Sequence, residues 1–315
     1  MTLSRRIIIT VLVLLLSLAS GAGVFAAQAY IIVDSKTGFV FQERESKQKR
    51  QVGSLTKVAT AMVVLDWSER HSGDLGEMAT IPPDAFVGVS ENNIGFQPGD
   101  TITLRDLLYA ALVQSDNIAA YTLANHVGQK LQGIVPTAGG APVATFVGQM
   151  NALAKTLRME RTRFVNPHGS DANVKPVPYS TAMDMARLTR YAMNKAGFRF
   201  YVSQKDRQIS FNRAGKAQSY MLRNTNELLG VNGVEGVKTG RTARAGDCLS
   251  LSAQRQAEVI KNGPTNATVI PRHLIIVLLG SPNRFEEGRQ MLDLGWKLYE
   301  QWAATGRVVD PNKAL

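Results

Sequence analysis

The sequence predicts an α/β fold of the α+β kind, with one antiparallel sheet flanked by helices and a helical subdomain inserted between its parts. Three observations carry this. Short β-prone runs occur near both ends of the 315-residue chain, apolar residues recur at helical spacing in the middle, and an amphipathic segment closes it. Tyr30 to Val33 and Phe39 to Gln42 are β-prone and flank Asp34-Ser35-Lys36-Thr37-Gly38, which is rich in turn formers, so a hairpin is expected. Glu43 to Arg50 reads as a charged surface connection. After Gly53 and Ser54, residues Val58, Ala59, Met62, Val63 and Leu65 repeat at helical spacing, so Ser54 is expected to open a buried helix.

Leu107, Leu108, Ala111 and Leu112 mark a second helix and Ile118 to Val127 a third, with Ser115 to Asn117 at their junction. Leu131 to Thr145 is rich in Gly, Pro and Ala and reads as a loop, while Phe146 to Leu157 and Thr181 to Asn194 read as helices. Thr181 and Asp184 fit a capping box. Gly236 to Gly240 and Cys248 to Ala253 read as neighbouring strands, His273 to Leu279 as a strongly apolar strand, and Phe285 to Trp302 as the closing helix. No internal repeat is visible.

Composition narrows the function classes. Arg5 and Arg6 precede an apolar run from Ile7 to Leu16, followed by small residues, the pattern of a secretory signal over residues 1–29. Ala27-Gln28-Ala29 fits the small-x-small pattern before a cleavage site and would make Tyr30 the mature N-terminus; Val24-Phe25-Ala26 is a rival. The run falls short of the ~20 apolar residues that span a bilayer. The expected place is therefore outside the cytoplasm, in the periplasm or on the outer face of the cytoplasmic membrane. With Cys248 alone, no intrachain disulfide can form, and stability must come from the core. The formal charge of +11, falling to +9 without Arg5 and Arg6, favours anionic surroundings such as cell-wall polymers or lipid headgroups, and hence a peripheral membrane or cell-wall contact. Export and the lack of an aromatic-plus-basic motif argue against nucleic acid. The four histidines show no metal-ligand spacing, and no cofactor or metal is expected.

Three short motifs carry the chemistry: Ser54-Leu55-Thr56-Lys57, then Ser115-Asp116-Asn117, then Lys238-Thr239-Gly240. A serine becomes nucleophilic when a base takes its proton, and a lysine three positions along a helix lies on the same face. Each motif alone is weak, since Ser46-Lys47-Gln48-Lys49, Ser90-Glu91-Asn92 and Lys36-Thr37-Gly38 copy the three patterns. Context separates them. Ser46 lies in a charged loop and Lys36 to Gly38 in a hairpin turn, whereas Ser54 starts an apolar helix and Lys238 to Gly240 follow Val234 to Val237 on an expected strand.

With these residues the chain resembles the serine D-alanyl-D-alanine carboxypeptidases among the low-molecular-mass penicillin-binding proteins, peptidase family S11, relatives of class A β-lactamases. Phe164-Val165-Asn166-Pro167-His168-Gly169, Tyr179 to Ala186, Asn224 to Leu229 and Ala245-Gly246 extend the resemblance over roughly Tyr30 to Trp302. It implies a β-lactamase/DD-peptidase-like fold, a catalytic domain over residues 30–303 and a short tail over 304–315. The partners it implies are peptidoglycan stem peptides ending in D-Ala-D-Ala, with β-lactams as inhibitors.

The resemblance also assigns roles. Ser54 would be the nucleophile and Lys57 its base, lowered in pKa by burial and by Lys238. Ser115 would relay the proton to the leaving amine, and Asn117 would orient the substrate amide or Lys57. The backbone N–H groups of Ser54 and Arg241 would form the oxyanion hole, and Lys238, Thr239, Gly240, Arg241 and Arg284 would hold the substrate and its carboxylate. His168 reads as a structural histidine of its loop. Three departures stand out: Asp116 where many members have glycine, Thr225 where arginine is frequent, and no β-rich second domain after the closing helix. A class A β-lactamase would need Glu-x-x-Leu-Asn near Asn151, and the nearest candidate, Glu160, lacks that sequel. A non-catalytic wall-binding protein is the other alternative. Trimming of free pentapeptides and cleavage of cross-links share one chemistry, so DD-endopeptidase action stays open beside carboxypeptidase action.

Overall fold

A computed structural model describes residues 25–134, 140–263 and 265–315. The leader expected over 1–29 lies largely outside these, as does the centre of the loop expected between Leu131 and Thr145.

Strand β1 (Ala29–Asp34) turns back through Asp34, whose carboxylate accepts from the Thr37 N–H and hydroxyl at 2.6 and 2.7 Å, into β2 (Val40–Arg44). A 3-10 turn over Gly53–Thr56 leads into α1 (Lys57–His71), in which every residue from Lys57 to Trp67 is buried. Ser54 therefore sits in the turn before the helix rather than opening it. Short strands β3 (Met78–Thr80) and β4 (Thr101–Thr103) precede α2 (Leu104–Leu112), α3 (Asn117–Gln132) and α4 (Pro142–Thr156). The last two helices reach into the segment expected as loop, with proline at a first-turn position of α4 where it lacks no bond.

Helices α5 (Ala182–Met193) and α6 (Ala196–Val202) follow, then strands β5 (Asp206–Arg213) and β6 (Lys216–Arg223). Three long strands, β7 (Val234–Thr242), β8 (Gly246–Lys261) and β9 (Ala267–Ser281), and the closing helix α7 (Arg284–Ala304) complete the chain. At α5 the Thr181 hydroxyl accepts from the Asp184 N–H at 3.0 Å, but the Asp184 carboxylate bonds Thr162, the Arg161 N–H and Arg187 instead of returning to the cap. Half of the expected capping box forms, because Asp184 is recruited to pin the Arg161 loop.

The main sheet is antiparallel, in the order β2-β1-β9-β8-β7, so both ends of the described chain meet in it as the sequence predicts. Its two faces are both covered. Ile32, Leu249, Leu251, Ile276 and Leu278 pack with Met291, Leu292 and Trp296 of α7, while Ile31, Val33, Ile275 and Val277 point to α1 and α5. Coverage on both sides is why the β9 run is continuously apolar instead of alternating.

The inserted lobe is not all-helical. It contains a second antiparallel sheet, β3-β4-β5-β6, whose strand β6 lines one cavity together with the main sheet's edge strand, β7. The hairpin carries weak sequence signals: on β6 only Leu222 is buried, and polar residues alternate without a strong apolar face. The tail beyond α7 folds back, with the Leu315 N–H donating to the Gly38 carbonyl at 3.0 Å.

Candidate active site

Three chain segments converge at the edge of the main sheet. The 3-10 turn holding Ser54 lies against β7, and Gly240 makes this approach possible: a Cβ there would fall 2.6 Å from the Val52 carbonyl oxygen and 3.1 Å from the Ser54 nitrogen. The Asn166 to Gly169 loop packs beneath the same turn. Gly169 has φ +87°, and a Cβ on it would meet the Gly53 carbonyl oxygen at 1.9 Å, so only glycine fits. Ser115, at φ +67° in the left-handed region, ends the α2–α3 connection and swings Asp116 into the N-cap of α3, where its carboxylate accepts from the Ala119 N–H at 2.7 Å.

Lys57 is the centre of the arrangement. It is fully buried, and its Nζ lies 2.9 Å from Ser54 Oγ, 2.6 Å from Asn117 Oδ1 and 3.0 Å from the His168 carbonyl oxygen. The last two atoms can only accept. A neutral lysine has two N–H bonds and one lone pair, so the N–H bonds go to Asn117 and His168 and the lone pair faces the Ser54 hydroxyl. Burial brings the Lys57 pKa down to about 7, opposed by the negative charge of Asp116. Asp116 in turn is pushed up to about 6 by its own burial, with the Ala119 N–H and Lys57 pulling it back.

Lys238, on β7, is also buried, and its pKa is driven well below the usual value by desolvation and then by the charges of Lys57 and Arg284. Among the described residues its ammonium has one hydrogen bond, to the Thr239 carbonyl at 3.2 Å. The charge of Lys57 depresses Lys238, whereas Lys57 itself is set by burial and Asp116 and not, contrary to the sequence expectation, by Lys238; a single amine, that of Lys57, stands at bonding distance from Ser54.

Ser54, Ser115, Asn117, Thr239, Gly240, Arg241 and Arg284 line one open cavity of about 880 Å³. Arg284 bonds the Gly240 carbonyl at 3.1 Å and approaches Asp247 at 3.4 Å, which fixes its guanidinium at the cavity wall. Arg241 is different: its side chain is 76% exposed and pairs with Asp247 at 3.2 Å, so its contribution to the site is its backbone, 3.1 Å from the place a Gly53 Cβ would occupy. Thr225, the departure noted in the sequence, bonds the Thr239 hydroxyl at 2.6 Å and so holds that side chain in place of a longer cation. The His168 ring is structural. It is held neutral, with a pKa of about 3 from burial and from Lys57, and its Nδ1 accepts from the Ser170 N–H at 3.2 Å.

Sequence reasoning missed one wall. Ser90 and Glu91, set aside as a copy of the second motif, line the cavity, as do Tyr220, Met221 and Arg223 of β6. Their only signal would have been a hairpin pattern between Asp206 and Arg223. At Asn151, where a lactamase would place its deacylating glutamate nearby, the amide instead exchanges bonds with the Phe164 backbone at 2.9 Å in each direction.

A buried lysine facing a serine hydroxyl at the edge of an antiparallel sheet, with cations beside it, defines an acyl-transferring serine hydrolase whose base is a lysine. Residues 18–262 match the family model described as D-alanyl-D-alanine carboxypeptidase. The chain belongs to this family. It is 30% identical over 284 residues to the D-alanyl-D-alanine carboxypeptidase DacC of Escherichia coli, covering 87% of this chain and 62% of that protein. It is 30% identical over 249 residues to a D-alanyl-D-alanine endopeptidase of Pseudomonas aeruginosa, covering 78% and 71% of the two chains. The Streptomyces K15 DD-transpeptidase superposes with a TM-score of 0.73 at 26% identity, covering 88% of this chain and 99% of that one. The chain thus spans less than two thirds of the length of the first of these relatives, and the fold is that of the DD-peptidases.

Proposed function

We propose that this protein is a serine-type D-Ala-D-Ala carboxypeptidase of peptidoglycan stem peptides that also acylates with β-lactams. The observation that carries the reading is the lone pair of Lys57 aimed at Ser54 Oγ from a site that keeps the amine near neutrality. Ser54 Oγ attacks the carbonyl carbon between the two terminal D-alanines while Lys57 takes its proton. The oxyanion forms against the backbone N–H groups of Ser54 and Arg241, each such donor being worth ~3 kcal/mol in the transition state. Ser115 relays the proton from Lys57 to the nitrogen of the departing D-alanine, giving up its own as it takes that one, the C–N bond breaks, and water later splits the Ser54 ester to restore the hydroxyl.

The free carboxylate of the substrate meets Lys238, Thr239 and Arg284. A carboxylate bound there favours the charged form of Lys238, so a substrate with a free carboxylate beside the scissile bond is preferred. The leader read at residues 1–29 supports export, placing the enzyme in the periplasm or on the outer face of the cytoplasmic membrane, where its polymer substrate lies.

Separation of products from a stem pentapeptide and from a cross-linked dimer tests the reading. Release of D-alanine from the first by wild type, with none by Ser54→Ala, is the expected result. Equal release by Ser54→Ala would overturn it, and faster cleavage of the dimer would make the protein an endopeptidase.

A further inference from the structure

Glu287, in the first turn of α7, is 7% exposed, and the chemistry at Ser54 makes no use of it. Its carboxylate reaches the N-terminal end of the described chain. Oε1 accepts the backbone N–H groups of Ala26 and, at 2.9 Å, Ala27, and Oε2 takes the Ser281 hydroxyl. These bonds fill lone pairs but bring no positive charge. Among the described residues no cationic side chain forms an ion pair with Glu287. The charged group facing the same segment from β2 is Arg44, whose guanidinium donates to the Ala27 carbonyl and lies over the Tyr30 ring at 5.7 Å. A buried carboxylate without a cation is destabilising, and this one is aimed at a backbone nitrogen.

We infer that the bond between Ala26 and Ala27 is a processing site, and that the α-ammonium of Ala27 released there is the ion-pair partner of Glu287. The inference rests on the reading that the chain is exported. A signal-peptidase-class enzyme adds water across the bond: hydroxyl goes to the Ala26 carbonyl carbon, a proton to the Ala27 nitrogen, and a second proton from solvent completes the ammonium. The new charge needs no travel, because the Ala27 nitrogen already sits at bonding distance.

The alternative cut after Ala29 is disfavoured by what it would remove. Ala29 is fully buried in β1 opposite Leu279, and the Gln28 N–H donates to the Leu279 carbonyl at 3.0 Å. Cutting there strips these and leaves Glu287 with neither N–H. A cut after Ala26 forfeits the burial of Phe25, which stands edge-on to Tyr30 at 5.2 Å between ring centroids, and the Ala26 N–H bond to Glu287, but leaves β1 and the Ala27 bond to Glu287 whole. Val24-Phe25-Ala26 supplies the small-x-small pattern directly before that bond.

The test is intact mass and N-terminal sequencing of the full chain expressed in an exporting bacterial host, with benzylpenicillin labelling of the same sample. Ala27 as first residue is the expected result. Tyr30 or any other start overturns the inference while leaving export intact, and an uncut chain in the cytoplasmic fraction overturns export as well; Ser54 labelling reports separately on the active site.

On the processed protein, Glu287→Gln keeps an acceptor and the volume but removes the charge, and should raise the unfolding equilibrium constant roughly tenfold at pH 7. Pairing raises the amine's pKa in the folded state, so its contribution is full below the ordinary α-amino value of about 8 and fades as pH rises through the folded one. Equal stability of E287Q at pH 7, or a difference that persists unchanged into strong alkali, would contradict the ion pair. Should E287Q fail to fold, reductive methylation of wild type decides instead: an Ala27 amine modified as fast as that of a free alanyl peptide is not paired.

Discussion

Lys57 Nζ and Ser54 Oγ stand 2.9 Å apart, with the remaining directions around the nitrogen taken by the Asn117 and His168 oxygens. A base so placed works only when unprotonated. With a pKa of about 7, Lys57 is protonated in acid and free above neutrality, so the acylation rate should rise with pH through about 7 and level off above it. Stopped-flow acylation by a chromogenic β-lactam from pH 5 to 9 measures this, and a flat profile would show that another group takes the proton.

Asp116 sets where that rise occurs. Its charge holds the Lys57 pKa up, so Asp116→Asn should move the acid limb to lower pH. Asparagine caps a helix about as well as aspartate, so the unfolding midpoint should change little. Loss of stability without movement of the limb would make Asp116 a cap alone.

The site is bought with stability. Lys57→Met replaces a desolvated amine with an apolar chain of similar length and should raise the melting temperature while abolishing acylation. The wild-type lysine binds a proton more readily unfolded than folded between pH 7 and about 10.5, so stability relative to K57M should climb with pH across that window. Thermal unfolding of both proteins at several pH values reads the difference, and parallel curves would show that Lys57 is not desolvated.

Gly240→Ala should separate β7 from the nucleophile turn. With 2.6 Å to the Val52 carbonyl, the added methyl forces a shift of nearly an ångström, and displacements of that size cost ~100-fold in rate. Benzylpenicillin acylation kinetics measure it, with circular dichroism to confirm that the fold persists. An unchanged rate would mean that the turn relaxes freely.

Much of this was legible in the sequence because the three motifs each sit beside a pattern that places them: Ser54 at an apolar helix, which it precedes by one turn instead of opening, Ser115 between two helices, and Lys238 on a strand whose edge position only the sheet order shows. The main sheet was legible because β9 is covered on both faces and reads as one apolar run. What escaped notice was the β5–β6 hairpin, which buries little on its outer side, and with it the cavity wall of Tyr220, Met221 and Arg223. The separation of Lys238 from Ser54 was not legible either, since it depends on which way a long side chain lies within the sheet edge. Thr225 looked like a lost contact in the sequence and proved to hold Thr239.

The most direct test of Ser54 as nucleophile and Lys57 as base is intact-mass analysis after brief incubation with benzylpenicillin. Wild type should gain one penicilloyl group that maps to Ser54 and decays slowly, while Ser54→Ala and Lys57→Met gain none. An adduct on Ser54→Ala, or one on Lys57→Met formed at the wild-type rate, would contradict the account.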